Sequence, residues 1–198
     1  MFPGEPPPDK CRLRLRRPSD GLPPCGGLRM RTRKALLPDA IDIHRLILQH
    51  FASGTLLPRT FPEICENVRD FVVAEEGDSV VGCGALHLYG PHLAEVRSIT
   101  VCPEYRKRGA GRLLLHKLLK EAARHQVSCV CLFTRIPEFF ARAGFSMVRR
   151  EDIPDKLYKD CCVCPKLHCC DEVAMVRGQL PRFAILSQPA PALVKLEI

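Results

Sequence analysis

The sequence contains no run of about 18 apolar residues, which is the length that a membrane-spanning helix needs. No apolar signal segment follows Met1, and no internal repeat is present. Tryptophan is absent as well, but a hydrophobic fraction of 46% in 198 residues is enough for a sizeable core. These features exclude a membrane span and a repeat architecture, and they predict a single cytoplasmic globular domain with no membrane partner.

Positive charge is not distributed as in a nucleic-acid-binding protein. The net charge is +8, and residues 1–29 contribute +3 of it from six cations and three acids. Much of the remainder lies around residues 104–119. A nucleic-acid interface needs many cations on one face, with base-reading or stacking groups among them. We therefore expect no nucleic-acid partner.

Cysteine is abundant, with twelve residues, and five of them lie between Cys161 and Cys170. Because the chain lacks a signal segment, reduced thiols in a cytoplasm fit better than a disulfide framework. Zinc ligands could be drawn from Cys161, Cys164, His168 and Cys170, but a closed site usually joins two separated pairs of ligands. We expect no metal.

The chain divides by composition into three parts. Residues 1–29 are rich in proline and arginine and are predicted to be disordered. A globular pattern covers 30–180, with a cysteine-rich extension at 155–175. Residues 181–198 resemble a loose tail.

Strand and helix signals alternate through the globular part. Strands are predicted at 30–36, 94–101, 128–134, 146–150 and 172–178, with a hairpin at 71–89 that turns at Gly77-Asp78. A helix is predicted from Pro38, because Ile41, His44, Leu48 and Phe51 follow it at amphipathic spacing. Further helices are predicted from a Thr60/Glu63 capping box to about Arg69, and at 109–125 and 137–145. The order predicts an α/β (α+β) fold with one mixed sheet.

The stretch "EYRKRGAGRLLLHKLL" (104–119) combines cations, glycines and a helix start. Five cations lie between residues 106 and 117, although cations at a helix N-terminus oppose the helix dipole by about 0.3–1 kcal/mol each. Glycines let the backbone approach a ligand, and the free N–H groups at the helix start bind anions. The stretch therefore predicts an anion site. It lacks the Gly-Lys-Ser/Thr of a Walker A loop and the third glycine of a dinucleotide fingerprint.

"VRSITVCPEYRKRGAGRLLL" resembles motif A of the GNAT superfamily of acetyl-CoA-dependent N-acetyltransferases, and "PEFFARAGF" resembles the motif that follows it. The resemblance covers about 120 residues. It implies a single-domain GNAT fold, acetyl-CoA as co-substrate, a loop that holds the coenzyme A pyrophosphate, and a strand edge that pairs with the pantetheine arm. The implied binding residues are Ile99, Thr100, Val101, Arg106, Lys107, Arg108, Gly109, Ala110, Gly111 and Arg112.

Three further stretches resemble the short N-acetylglutamate synthase type of amino-acid N-acetyltransferase. They are "LLPRT" (56–60), "LAEVRSITV" (93–101) and "DKLYKDCCVCPKLHCCDEVAM" (155–175). Cys161, Cys164 and Cys170 are typical of this subgroup, whereas Tyr158 stands where it more often has Trp. The resemblance implies transfer of acetyl to the α-amine of an amino acid, with L-glutamate favoured, as the first step of arginine biosynthesis.

The chemistry of that reaction assigns roles to individual residues. An α-ammonium must lose its proton before it attacks a thioester, which calls for a general base. Glu95 resembles the base of the lysine-directed members of the superfamily, and on a strand it shares a face with Arg97. The alternative is an exposed carboxylate paired with Arg97. Arg97 and Arg59 are candidates to bind the carboxylates of a dicarboxylate acceptor, since guanidinium meets carboxylate with two parallel bonds.

The departing thiolate raises the question of a general acid. Many superfamily members use a tyrosine in the short helix, but this chain has Phe140 there. The acid is therefore absent or is one of Tyr89, Tyr105 and Tyr158. A thiol with a pKa of about 8.5 leaves tolerably well as the anion.

Two other functions remain open from the sequence. One is acetylation of a different amine, such as a protein N-terminus or another small amine. The other is an acyl-CoA-binding sensor without turnover, which the loss of the tyrosine hydroxyl at Phe140 would permit. A homodimer through an exposed sheet edge is also open.

Overall fold

A computed structural model of the chain describes residues 30–52, 56–164 and 166–180. Within those residues, seven strands form one mixed sheet in the order β1-β2-β3-β4-β5-β7-β6. The strands are β1 (Arg31–Lys34), β2 (Phe71–Glu76), β3 (Ser79–Gly90), β4 (Leu93–Val101), β5 (Cys129–Thr134), β6 (Ser146–Met147) and β7 (Val173–Gly178). The helices are α1 (Ala40–Ala52), α2 (Phe61–Glu66), α3 (Ala110–Arg124), α4 (Pro137–Ala141) and α5 (Pro154–Lys159). The predicted mixed α/β sheet is confirmed.

The predictions for residues 1–29 and 181–198 lie outside the described residues. The part of the chain that is described contains no helix with the length and apolar character needed to cross a membrane.

Contacts divide the chain into two compact units. The first takes in the described residues up to Ala85 together with Ser98–Lys120, and the second takes in Leu86–Arg97 and the described residues from Glu121 onward. Strands β3 and β4 each contribute residues to both units, because the boundaries fall inside them.

The core of the first unit forms between α1 and the β2–β3 hairpin. Ala40, Ile43 and Ile47 of α1 are fully buried in one cluster with Phe71 and Val73. The helix predicted from Pro38 is confirmed, but the spacing that indicated it marks the wrong face. Ile41, Leu48 and Phe51 are each more than 40% exposed. The apolar residues of α1 surround too much of the helix for spacing alone to identify the buried side.

Local sequence signals set the ends of the elements in this unit. The predicted hairpin is confirmed, with its turn at Gly77, which has φ +62°. Its strands pair from Phe71↔Ala85 to Glu76↔Ser79, with a shift in register between Ala74 and Glu75. The Glu63 N–H donates to the Thr60 hydroxyl, and the Thr60 N–H donates to the Glu63 carboxylate, which confirms the capping box. Helix α2 is shorter than predicted, since it ends at Glu66 and a 3-10 turn follows.

The second unit is built around β5. It pairs in parallel with β4 at Ala94↔Val130 and Glu95↔Cys131, and antiparallel with β7 along its whole length. Its core contains Leu93, Cys129, Cys131, Ile153, Ala174 and Val176. The predicted strand at 146–150 is much shorter, because β6 pairs with β7 only at Ser146 and Met147 and a 3-10 turn begins at Arg150.

Helix α5 was not predicted as a helix, although its six residues begin with Pro154 at the position that proline favours. Lys156 of this helix forms an ion pair with Glu95 of β4.

Candidate functional site

The glycine-rich loop of the first unit leads into α3 with an unusual backbone. Lys107 has φ +61° and Gly109 has φ +93°. The Leu113 N–H donates to the Gly109 carbonyl at 3.0 Å, so Gly109 is the N-cap of a 15-residue helix. The first N–H groups of a helix lack intrahelical acceptors and favour an anion. A Cβ added at Gly109 would meet nothing within 4 Å, so its backbone angle, not space, requires glycine there.

The cations of this loop are exposed, and two of them have protein partners. The Arg106 guanidinium lies 3.0 Å from His50 Nε2, and Arg108 donates to the Glu76 carboxylate at 2.7 Å. Burial, and then the Arg106 charge, lowers the pKa of His50, which keeps its ring neutral as an acceptor. These contacts fix where the two guanidinium groups lie while leaving them accessible to a ligand.

The end of β4 carries the predicted pantetheine-binding edge. Ser98 has φ +53°, so the strand is irregular just before Ile99–Val101. The Thr100 hydroxyl is buried and has no hydrogen-bond partner among the described residues. Gly82 lies against this strand, and a Cβ there would come 2.9 Å from the Thr100 carbonyl oxygen.

The second unit places Glu95 in a buried network that we call the Glu95 cluster. Glu95 is 2% exposed. The Lys156 ammonium lies 2.8 Å from one Glu95 oxygen and 2.7 Å from the Asp160 carboxylate. The Tyr89 hydroxyl lies 3.0 Å from the other Glu95 oxygen and 3.3 Å from Asp160. The members of the cluster are Tyr89, Glu95, Arg97, Lys156 and Asp160.

The charges in this cluster reinforce one another. Burial opposes the charge on Lys156, but the Glu95 and Asp160 carboxylates outweigh burial and raise the pKa of Lys156. Burial likewise opposes the charge on Asp160, and its bond to Lys156 nonetheless lowers the pKa of that carboxyl. Burial first, and then the two carboxylates, raises the pKa of the Tyr89 hydroxyl. Tyr89 is therefore a hydrogen-bond donor that keeps its proton at neutral pH.

Glu95 and Arg97 reach the same cluster, as their shared strand face predicts. An Arg97 guanidinium nitrogen lies 3.9 Å from the Asp160 carboxylate, and the side chain is 13% exposed. The alternative of an exposed Glu95 paired with Arg97 is wrong, because Glu95 is buried and its partner is Lys156. Lys156 was not predicted as a site residue, although Lys156 and Asp160 stand four residues apart at helical spacing.

Arg59 belongs to the first unit and has a defined contact there. Its Nε donates to the Ser98 hydroxyl at 3.1 Å. This bond joins the "LLPRT" stretch to the irregular point of β4.

The three tyrosines differ in their surroundings. Tyr158 is 72% exposed. The Arg108 guanidinium lies over the Tyr105 ring, 4.8 Å from the ring centre. Tyr89 alone of the three belongs to the Glu95 cluster. Phe140 is buried and packs edge-on against Phe139 and Phe145, so this position is part of the core.

The cysteine-rich extension carries free thiols at each of its five cysteines. Among the described residues, no three His, Cys, Asp or Glu side chains are grouped so as to hold a metal ion. The candidate zinc ligands Cys161, Cys164, His168 and Cys170 are therefore not brought together in the described part of the chain.

The comparisons with known proteins agree with this geometry. The model of the acetyltransferase (GNAT) family matches residues 40–145, a span that crosses both units. An uncharacterized N-acetyltransferase of Chlorobaculum tepidum is 39% identical over 145 residues, which is 73% of this chain and 94% of that protein. An amino-acid acetyltransferase of Mycobacterium tuberculosis is 33% identical over 133 residues, which is 66% of this chain and 76% of that protein.

Two solved structures also resemble this chain in fold. A Mycobacterium tuberculosis protein in complex with CoA has a TM-score of 0.64 and 30% sequence identity, over 75% of this chain and 99% of that one. The N-acetylglutamate synthase from Neisseria gonorrhoeae, complexed with coenzyme A and N-acetyl-glutamate, has a TM-score of 0.66 and 22% identity. The match covers 76% of this chain but only 35% of the synthase chain. At that identity the second likeness shows the fold alone.

Proposed function

This chain belongs to the acetyltransferase (GNAT) family, and we propose that it transfers acetyl to the α-amine of an amino acid, with L-glutamate as the preferred acceptor. Its family membership makes it an N-acetyltransferase with acetyl-CoA as co-substrate, and the GNAT fold is confirmed. The acceptor is our proposal. It is supported by relatives named amino-acid acetyltransferase and by the buried Glu95 cluster.

The Glu95 cluster is the observation on which the proposal rests. A carboxylate that is 2% exposed needs a countercharge, and Lys156 supplies one at 2.8 Å. The second carboxylate, Asp160, is partly exposed. A site with two carboxylates and a neutral tyrosine suits an ammonium group that must be bound and then deprotonated.

The proposed chemistry is direct transfer. The acceptor ammonium gives a proton to Glu95, and the amine then attacks the thioester carbonyl of acetyl-CoA. A C–N bond forms, the C–S bond breaks, and the thiolate of coenzyme A leaves with the bonding electrons. The nitrogen gives up a second proton to solvent, which leaves the neutral amide. Of the described cysteines, Cys83 and Cys131 are buried and have raised pKa values owing first to burial. Neither is a thiolate suited to carry the acetyl group itself.

Departure of the thiolate does not need Tyr89 in this scheme. A hydroxyl whose pKa is raised by burial and two carboxylates is a weak proton donor, whereas a thiolate with a parent pKa of about 8.5 is stable without a proton. We assign Tyr89 to holding the Glu95 carboxylate in place, through the 3.0 Å hydrogen bond between them.

The remaining site residues keep the roles that the sequence suggests. We propose that the loop from Arg106 to Arg112 binds the pyrophosphate of acetyl-CoA and that the Ile99–Val101 edge pairs with its pantetheine arm. We propose Arg97 and Arg59 as the cations for acceptor carboxylates. Arginine biosynthesis, a cytoplasmic location and a homodimer are further parts of this proposal.

The experiment that tests the proposal is a panel of acceptors. Release of thiol from acetyl-CoA is measured with L-glutamate, L-glutamine, L-aspartate, spermidine and a peptide N-terminus, and each acetylated product is identified by mass spectrometry. Turnover with L-glutamate well above the other amines supports the proposal. Turnover only with spermidine or the peptide would overturn it, and acetyl-CoA binding without any turnover would favour a sensor.

A further inference from the structure

His87 lies between two cations at the border of the Glu95 cluster. Its Nδ1 is 3.1 Å from an Arg97 guanidinium nitrogen, and its Nε2 is 2.9 Å from the Lys159 ammonium. Lys159 also lies 5.6 Å from the centre of the Tyr89 ring, and the His87 and Tyr89 rings meet edge-on at 5.0 Å. Each of the two cations therefore contacts a different ring nitrogen of His87, and Lys159 also lies over the Tyr89 ring.

This arrangement leaves hydrogen-bond donors facing one another. Arginine and lysine only donate, and a neutral imidazole accepts at one nitrogen and donates at the other. Whichever tautomer His87 adopts, one of the two contacts therefore sets an imidazole N–H against a cationic N–H. An anion bound here would accept hydrogen bonds from these opposed N–H groups of His87, Arg97 and Lys159.

A charge count gives the same result. The Glu95 cluster together with Lys159 contains the cations Arg97, Lys156 and Lys159 and the carboxylates Glu95 and Asp160, which leaves one positive charge in excess. Lys156 is surrounded by both carboxylates, so the excess lies on the side of Arg97 and Lys159. Lys159 is exposed and can reach a ligand from solvent.

We propose that Lys159, together with Arg97 beside His87, binds the side-chain carboxylate of an acidic amino-acid acceptor and makes the enzyme prefer it over the corresponding amide. L-glutamate carries one net negative charge and L-glutamine none, while the two have nearly the same shape. The excess positive charge therefore distinguishes them. This inference rests on the proposed function, since it assumes an amino-acid acceptor.

The test compares L-glutamate with L-glutamine in the wild type and in Lys159→Met, which keeps the chain length and removes the charge. The kcat/KM for L-glutamate should fall about tenfold or more, as expected for loss of a charge-assisted contact, while that for L-glutamine changes less than about twofold. Lys159→Arg should retain most of the preference. Lys166→Met, in the same extension, is the matched control and should keep the wild-type ratio.

The outcomes separate this inference from the proposed function. Equal losses for both amino acids in Lys159→Met would mean that Lys159 only supports the structure, and unchanged kcat/KM values for both would mean that it does not contact the acceptor. Either result overturns the inference while amino-acid acetylation stands. A wild-type enzyme that acetylates neither amino acid would instead overturn the proposed function.

Discussion

At the scale of single residues, the contact between Glu95 and Lys156 is the central feature of the site, because it supplies the countercharge for a buried carboxylate. The period of two along β4 correctly predicted that Glu95 and Arg97 share a face, because that rule is local to the strand. The countercharge comes from α5, far along the chain, and no local pattern connects the two. Burial of Glu95 was therefore the part of the site that the sequence could not supply.

The Glu95–Lys156 pair gives a prediction about stability. Lys156→Met leaves Glu95 buried without its nearest cation, so the free energy of unfolding should fall by about 3–5 kcal/mol. The double variant Glu95→Gln with Lys156→Met removes both charges and should regain at least half of that loss. Urea unfolding of the four proteins measures it, with the exposed Lys120→Met as control. A double variant as unstable as the sum of the single ones would contradict a direct pair.

At the scale of elements, several predictions from the sequence were confirmed because local chemistry dominates there. The capping box at Thr60, the turn at Gly77 and the strand–loop–helix order around Gly109 all depend on neighbouring residues. The buried face of α1, the length of β6 and the existence of α5 depend on packing partners elsewhere in the chain. Those features became clear only in the structure.

The loop before α3 gives a prediction about co-substrate binding. Gly109→Ala puts a side chain at φ +93°, which costs about 1–2 kcal/mol in that backbone region, so the loop should relax and the KM for acetyl-CoA should rise about tenfold. Gly144→Ala is a matched control, since Gly144 has φ +83° and follows α4 in the other unit. It should cost similar stability and leave that KM unchanged. Equal effects on KM would show that general destabilisation is responsible.

The junction between β1 and α1 gives a prediction about pH. Burial raises the pKa of Asp39, but hydrogen bonds from Arg33 and from the Leu36 N–H outweigh burial and lower it below its usual value. A lowered folded-state pKa means that this stability is present above the unfolded pKa of about 3.9 and is lost as pH falls through the folded value. Asp39→Asn should lower the urea midpoint at pH 6 and flatten its decline towards pH 3. An unchanged slope would show that Asp39 does not contribute to acid unfolding.

At the scale of the whole molecule, the family match over residues 40–145 includes parts of both units. The general function followed from the sequence because loop motifs are short and local. The acceptor that we propose depends on charges that α5 brings to the Glu95 cluster, and no local pattern in the sequence predicts them.

The cysteines give a prediction for the native molecule as a whole. Cys162 and Cys169 are exposed, whereas Cys83, Cys102, Cys129 and Cys131 are buried. Burial raises the pKa of Cys129 to about 11, which leaves little reactive thiolate at neutral pH. Iodoacetamide should therefore modify the two exposed cysteines of the folded protein, and the four buried ones only after unfolding in urea. Mass spectrometry of tryptic peptides gives the pattern; rapid modification of Cys131 in the folded protein would contradict the described core.

The measurement that most directly tests the account is the rate of Glu95→Gln with L-glutamate and acetyl-CoA. The account predicts that kcat falls by about 10²–10⁴-fold, the usual loss of a general base, while the Kd for acetyl-CoA stays within about twofold because the loop residues are intact. Glu138→Gln, an exposed carboxylate in α4, should keep the wild-type rate. A Glu95→Gln enzyme that is folded by circular dichroism and retains wild-type kcat would remove Glu95 from the reaction, and the mechanism proposed for this site would be wrong.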